Sequence, residues 1–126
     1  MTDEHPNLTV LSKLDICDLN ASAVLFSDDF VWHYFNPKLP DVEGDYVGVE
    51  GLRKFFTIIA EKTGARFKVE PISMTPFGEE LVVIHTRNTM EFEDNPIAVD
   101  VAVVWRIVNG KIAEGWDIPS AFTLAA

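Results

Sequence analysis

One cysteine, Cys17, stands alone in 126 residues, so no internal disulfide can form and no Cys/His cluster exists to build a zinc site. Its apolar neighbours make Cys17 a packing residue. Positive charge is scarce as well: 10 Lys and Arg against 20 Asp and Glu leave a formal net charge of −10. Phosphate binding needs clustered cations, so this balance excludes a nucleic-acid partner and disfavours anionic membranes. Long apolar runs are also missing. No segment approaches the ~20 apolar residues of a membrane span, and the polar start MTDEHPN has no apolar stretch of the kind a secretion signal needs. The reading is a cytoplasmic protein of one domain over residues 1–126, with a flexible lead over residues 1–6. No metal-ligand spacing is present among the three histidines and the acids, and no cofactor is called for.

What the sequence does have is a hairpin at 96–119, PIAVDVAVVWRIVNGKIAEGWDIP. Ile97, Val99, Val101, Val103, Trp105 and Ile107 alternate with Ala98, Asp100, Ala102, Val104, Arg106 and Val108, the period of a strand. Asn109 and Gly110 supply the two residues with positive φ that a tight turn needs, and residues 111–118 return as the partner strand. Both faces of the first arm are largely apolar. The chain has helices enough to cover only one of them, which predicts a homodimer through the outer face, with Asp100 pairing Arg87 or Arg106 there.

Upstream, Leu8, Leu11, Leu14 and Ile16 fall at helical spacing, and a second short helix follows with Asp18 as its N-cap. Residues 30–35, FVWHYF, read as a strand, and the Pro, Gly and acid content of 36–48 reads as a surface loop. Val49, Leu52, Phe55, Phe56 and Ile59 form the apolar stripe of an amphipathic helix ended by Gly64. Phe67 and Val69 open a strand in which Pro71 marks a bulge or an edge. After a turn at Gly78, residues 81–93 present Val82, Ile84, Thr86, Asn88, Met90 and Phe92 inward. The sum is α+β: a curved, mostly antiparallel sheet wrapped around N-terminal helices.

Three phrases, SDDFVWHYF at 27–35, GDYVGVEGLRKFF at 44–56 and VVWRIVNGKIAEGWD at 103–117, occur in an order and spacing that resembles the nuclear transport factor 2-like superfamily, within it the SnoaL-like branch. The resemblance spans nearly the whole chain. It implies a cone-shaped, partly open barrel around an apolar pocket, commonly in a homodimer, in a group that includes ketosteroid isomerases, polyketide cyclases, epoxide hydrolases and non-enzymatic binders. The fold by itself does not select among those functions.

The similarity to limonene-type epoxide hydrolases places Asp117 where those enzymes keep a water-activating aspartate. Their other site residues do not carry over: their first-strand tyrosine and asparagine fall at Trp32 and Tyr34, and their third-strand arginine and aspartate fall near Ile84 and Thr86. The acidic residues of a ketosteroid isomerase fall at Tyr34 and Val103, so the chain is not an ordinary member of that class. Read from the residues themselves, Asp117 lies in apolar company, where a carboxylate gains proton affinity and can act as general acid or base; it can equally cap a turn or face solvent. Strand parity sends Phe30, Trp32 and Tyr34 inward, with the Tyr34 hydroxyl able to donate to a ligand carbonyl. Phe55, Phe56, Val103 and Trp105 complete the expected apolar pocket, and Asn88 is expected beside Asp117. His33 and His85 point away by the same parity, although the histidine that frequently follows the tryptophan in this family keeps His33 among the catalytic candidates. Together these residues describe a pocket for an apolar small molecule, serving an isomerase, cyclase or hydrolase, or else a protein that binds such a ligand without acting on it, or a dimeric interaction protein whose function lies on the outer sheet face.

Overall fold

The structure, a computed structural model, describes residues 5–15, 18–36, 39–62, 67–92, 95–120 and 123–124. Cys17, Ile16 and Gly64 lie outside them. The first helix, α1 (Pro6–Ser12), starts inside the stretch read as a lead, because the His5 side chain accepts the Asn7 backbone N–H and Pro6 has no N–H that needs a partner. His5 also reaches the Gly78 carbonyl at 3.1 Å, which ties the helix to the turn at Gly78. The second helix, α2 (Leu19–Ser22), is capped as expected, with Asp18 accepting the Ala21 N–H at 3.1 Å, and runs on into a 3₁₀ turn.

The strand β1 (Phe26–Tyr34) begins four residues before the aromatic run, its register broken by an irregularity between Phe26 and Val31 that absorbs Ser27, Asp28 and Asp29. The stretch read as a loop contains a short strand, β2 (Gly44–Val47), paired antiparallel to β1. Helix α3 (Gly48–Lys62) follows, with Glu50 in its first turn and Lys62 in its last, each at the end the helix dipole favours. The strands β3 (Phe67–Phe77), β4 (Leu81–Phe92), β5 (Asn95–Val108) and β6 (Lys111–Pro119) then succeed one another antiparallel, and β7 (Thr123–Leu124) pairs with β5. Asn109 at φ 52° and Gly110 at φ 77° make the predicted hairpin turn. Pro71 sits at a bulge on an edge strand, so neither of its backbone restrictions interrupts an interior ladder.

The sheet order is β2-β1-β6-β5-β4-β3, curved and unclosed, with β1 and β6 parallel. Its inner face packs on α3 and on Leu11 and Leu19 from the N-terminal helices. The core divides in two. The larger part gathers Phe30, Trp32, Tyr34, Leu52, Phe55 and Trp105; the smaller is Ile97, Val99 and Val101, and Val103 touches both. Between the two parts lies a cavity. On the outer face, cross-strand neighbours form an apolar band: Trp116, Val104 and Val83 in one row, Ile118 and Ala102 in the next. Among the described residues, no helix is long and apolar enough to cross a membrane.

Candidate active site in the cleft between the two core clusters

The cavity is walled by apolar side chains from β3, β4 and β5 and by the Phe55, Phe56 and Ile59 face of α3, with polar residues Tyr34, Asn36, Lys62, Asn88, Asp117 and Ser120 also in the lining. Tyr34 and Asp117 are paired positions on parallel neighbours β1 and β6, and both are inner-face residues, so a phenol and a carboxyl share one end of an apolar chamber. The backbone here is fixed by Phe35, whose N–H donates to the Asp117 carbonyl at 3.1 Å. Lys62 sits at the rim, but its ammonium is 3.1 Å from Asp41 rather than turned to Asp117.

Burial of the carboxyl against this wall pushes Asp117 up to about 7 from an ordinary 3.8. The residue keeps partial exposure as a whole; the proton affinity follows from the enclosure of its carboxyl oxygens, with no cation or hydrogen-bond donor among the described residues to offset it. A group at about 7 holds and releases a proton with nearly equal ease at neutral pH, the condition for both general acid and general base work. Burial also pushes Tyr34 up to about 12, and the negative end of Asp117 adds to that rise. Asn36 donates its amide to the Tyr34 oxygen at 2.8 Å. The phenol therefore stays protonated, and with its oxygen already accepting, its O–H is available to donate to a ligand.

Several expected pocket residues lie elsewhere. Phe30, Trp32 and Trp105 are at most 5% exposed and do not line the cavity. Trp32 and Trp105 pack on one another with ring centroids 5.1 Å apart and planes tilted by 38°, filling the space that Gly115, the residue between them on β6, leaves open. The aromatic trio thus shares one face, but only Tyr34 is far enough along β1 to reach the chamber. Val103 packs between the two core clusters without reaching the lining. Phe55, Phe56 and Asn88 do line it, although Asn88 is not beside Asp117. It pairs with Val99, whereas Asp117 pairs with Val103, four residues along the same strand.

His33 faces the other side of the sheet, as parity requires. Its Nδ1 is 2.6 Å from Asp45 and its Nε2 is 2.6 Å from Glu114, and the ring stacks on Trp116. A carboxylate at each nitrogen favours the imidazolium form, in which both nitrogens donate. Burial opposes that charge, but the bonds to Asp45 and Glu114 outweigh it and the pKa is raised. A ring held this way ties β2 to β6 across β1, with both of its nitrogens engaged by carboxylates. His85 is likewise outside, 2.9 Å from Asp100, which also meets Arg87 at 3.3 Å. Arg106, the other expected partner of Asp100, bonds Glu80 instead.

The cavity residues absent from the sequence reading divide by signal. Val99, Val101 and Ile97 carry the inward alternation of β5, which was legible; Asn36 and Leu39 come from a stretch with no periodicity to mark them as lining residues.

Comparison with known proteins decides the lineage. Residues 13–115 match the model of the SnoaL-like domain. The chain belongs to that family. The SnoaL-like domain is similar in structure to Bal32a from a soil-derived mobile gene cassette, at 21% identity and a TM-score of 0.77, over 90% of this chain and 88% of that one. TerC, co-crystallised with polyporic acid, gives 15% identity and a TM-score of 0.77 over 91% and 92% of the two chains. An NTF2-like protein from Anabaena variabilis gives 20% and 0.73 over 96% and 95%. At these identities the likeness speaks to the fold alone. No curated protein matches the sequence.

Proposed function

We propose that this SnoaL-like domain is a cofactor-independent enzyme that moves a proton on an apolar substrate bearing a carbonyl or hydroxyl group, in an isomerase, cyclase or hydrolase reaction. The single observation that carries this reading is the Asp117 carboxyl, lifted to about 7 inside an apolar chamber that it shares with the protonated Tyr34 phenol. In the simplest case Tyr34 donates to the substrate carbonyl oxygen while ionised Asp117 removes a proton from the adjacent carbon, and the enolic charge that develops is met by the phenol O–H. Among the structural neighbours, TerC was crystallised with polyporic acid and another is described as a putative isomerase, which suits a small-molecule site.

The test uses 4-phenylcyclohexanone, an apolar ketone whose α-hydrogens exchange with deuterium only through the enol or enolate. Wild-type protein in D₂O is expected to accelerate that exchange, with a rate that climbs through pH 7 as Asp117 ionises. Asp117→Asn is expected to lose 10²-fold or more of the acceleration, the scale of a removed general base, and Tyr34→Phe a smaller part. Exchange equally fast in Asp117→Asn would sink the catalytic reading. If both proteins bound the ketone and raised their melting temperature alike without exchange, the mostly apolar lining would instead support a binding protein that does no chemistry.

The outer face supports a second copy of the chain as partner. Trp116, Val104, Val83, Ile118 and Ala102 make a continuous apolar band, with Ile118 45% exposed, flanked by the Arg106–Glu80 and Asp100–Arg87 pairs. Sedimentation at micromolar concentration is expected to give a dimer for the wild type and a folded monomer for Ile118→Glu; a wild-type monomer would count against the pairing.

A further inference from the structure

Among the described residues, three buried side-chain atoms have no hydrogen-bond partner: Trp32 Nε1, Thr86 Oγ1 and Asn88 Oδ1. A buried polar atom left without a hydrogen-bond partner is destabilising, so each asks for an explanation. Trp32 and Thr86 are not part of the cavity lining. Asn88 is, so an amide whose oxygen is an unmet acceptor belongs to the wall of the chamber.

Its position along the sheet decides what it can meet. Asp117 is opposite Val103 and Asn88 is opposite Val99, so the two are separated by four residues of β5. At the rise of a strand that is roughly 13 Å along β5, and the two residues also flank that strand on opposite sides, two strand spacings apart. A water or ligand group bonded to Asp117 cannot also satisfy Asn88. Val101 and Pro119 line the intervening register, where Thr86 also pairs with Val101 but stays out of the lining; Val69, Met90 and Ile97 also line the cavity, with Ser120 following Pro119.

The geometry points to Asn88 as a second, distal polar subsite, and to a ligand of elongated apolar body with a carbonyl or hydroxyl at the Asp117 end and a hydroxyl donor at the Asn88 end. This rests on reading the cavity as a small-molecule site, but not on that site doing chemistry. A ligand polar at one end only leaves the amide oxygen buried and unpaired. A site built around such a group discriminates strongly against analogues that lack its partner, and Asn88 is therefore the specificity-determining residue of the far end.

Two ketones with the same skeleton separate the possibilities. In 4-(4-hydroxyphenyl)cyclohexanone the carbonyl and phenol oxygens sit at opposite ends of the molecule; 4-phenylcyclohexanone lacks only the hydroxyl. Affinities are measured by calorimetry in the Asp117→Asn protein, where no turnover can intrude. The hydroxylated ketone is expected to bind about tenfold or more tightly than the other, and Asn88→Leu is expected to erase that preference while leaving the affinity for 4-phenylcyclohexanone the same or better. Asn88→Leu should also raise the melting midpoint of the ligand-free protein, since it removes an unpaired acceptor. Equal affinities for the two ketones in a protein with Asn88 intact would overturn the distal subsite, as would no binding of either, or a preference that survives Asn88→Leu. A marked loss of ligand-free stability in Asn88→Leu would overturn it too, by showing that the amide supports the fold. Failure of the proton-transfer reading shows separately, as deuterium exchange unaffected by Asp117→Asn.

Discussion

Asp117→Asn is expected to make the protein more stable at pH 8 and to change it little near pH 4. The sign follows from proton binding. The folded-state pKa, about 7, lies above the 3.8 of an ordinary Asp, so between those values the folded form holds a proton that the unfolded chain has released. Stability from this group is therefore full at low pH, declines as pH rises through that window, and above 7 the folded protein carries the whole cost of a buried carboxylate. A displacement of about three units corresponds to on the order of 4 kcal/mol, reduced by whatever water the cavity admits. Asparagine cannot ionise, so the variant should lack this decline. Melting curves of both proteins from pH 4 to pH 8 check it: the two should converge at the acid end and separate by several degrees at the alkaline end. Parallel curves would mean that the carboxyl is solvated. The same substitution is the one expected to abolish proton transfer, so stability and activity should move in opposite directions, as they do where a site is built from a group the fold would rather not bury.

Gly115→Ala is expected to cost about 2–3 kcal/mol, which is large for one methyl group. A Cβ at this position would lie 2.7 Å from Trp32 Cε3 and 2.9 Å from Trp105 Cζ3. Neither indole can retreat, because Trp32 is braced by Phe55 and Phe56 and Trp105 by Phe30. Replacing glycine by alanine within a regular element ordinarily gains roughly 0.5–1 kcal/mol of backbone entropy, so the two effects oppose each other and the clash is the larger. The denaturant midpoint should fall with little change in its slope, because the unfolded chain is hardly altered. A midpoint equal to the wild type would mean that the packed tryptophans shift freely. Gly115 precedes Asp117 by two residues on the same face of β6, so a strand displaced by the methyl group should also misplace the carboxyl and slow any reaction it performs.

Legibility in the sequence followed how local each signal is. The β5–β6 hairpin was plain because Asn109 and Gly110 fix the turn and alternation fixes the faces, and the inward side of β4 followed from the same period. The short strand β2 was hidden, since Gly44–Val47 gains its strand character from pairing with β1 and not from its own composition. Parity placed Phe30, Trp32 and Tyr34 on one face correctly, but a face is longer than a pocket. Which part of it stays open depends on where α3 sits and on Gly115 letting two indoles meet, and both are tertiary facts. The separation of Asn88 from Asp117 depends on the β4–β5–β6 register, which no single strand discloses. His33 shows the opposite limit: the pattern gave its direction, while the carboxylates that hold it come from Asp45 on the unseen strand and Glu114 on β6.

The central claim is that the fold holds the Asp117 carboxyl in an apolar chamber where it trades a proton near neutrality. A carbon-13 NMR titration of the protein labelled at the aspartate side-chain carboxyl, with Asp117→Asn used to assign the resonance, measures that directly. The account predicts a midpoint near 7 for Asp117; a midpoint at the value of an ordinary exposed aspartate, roughly 4, would contradict it.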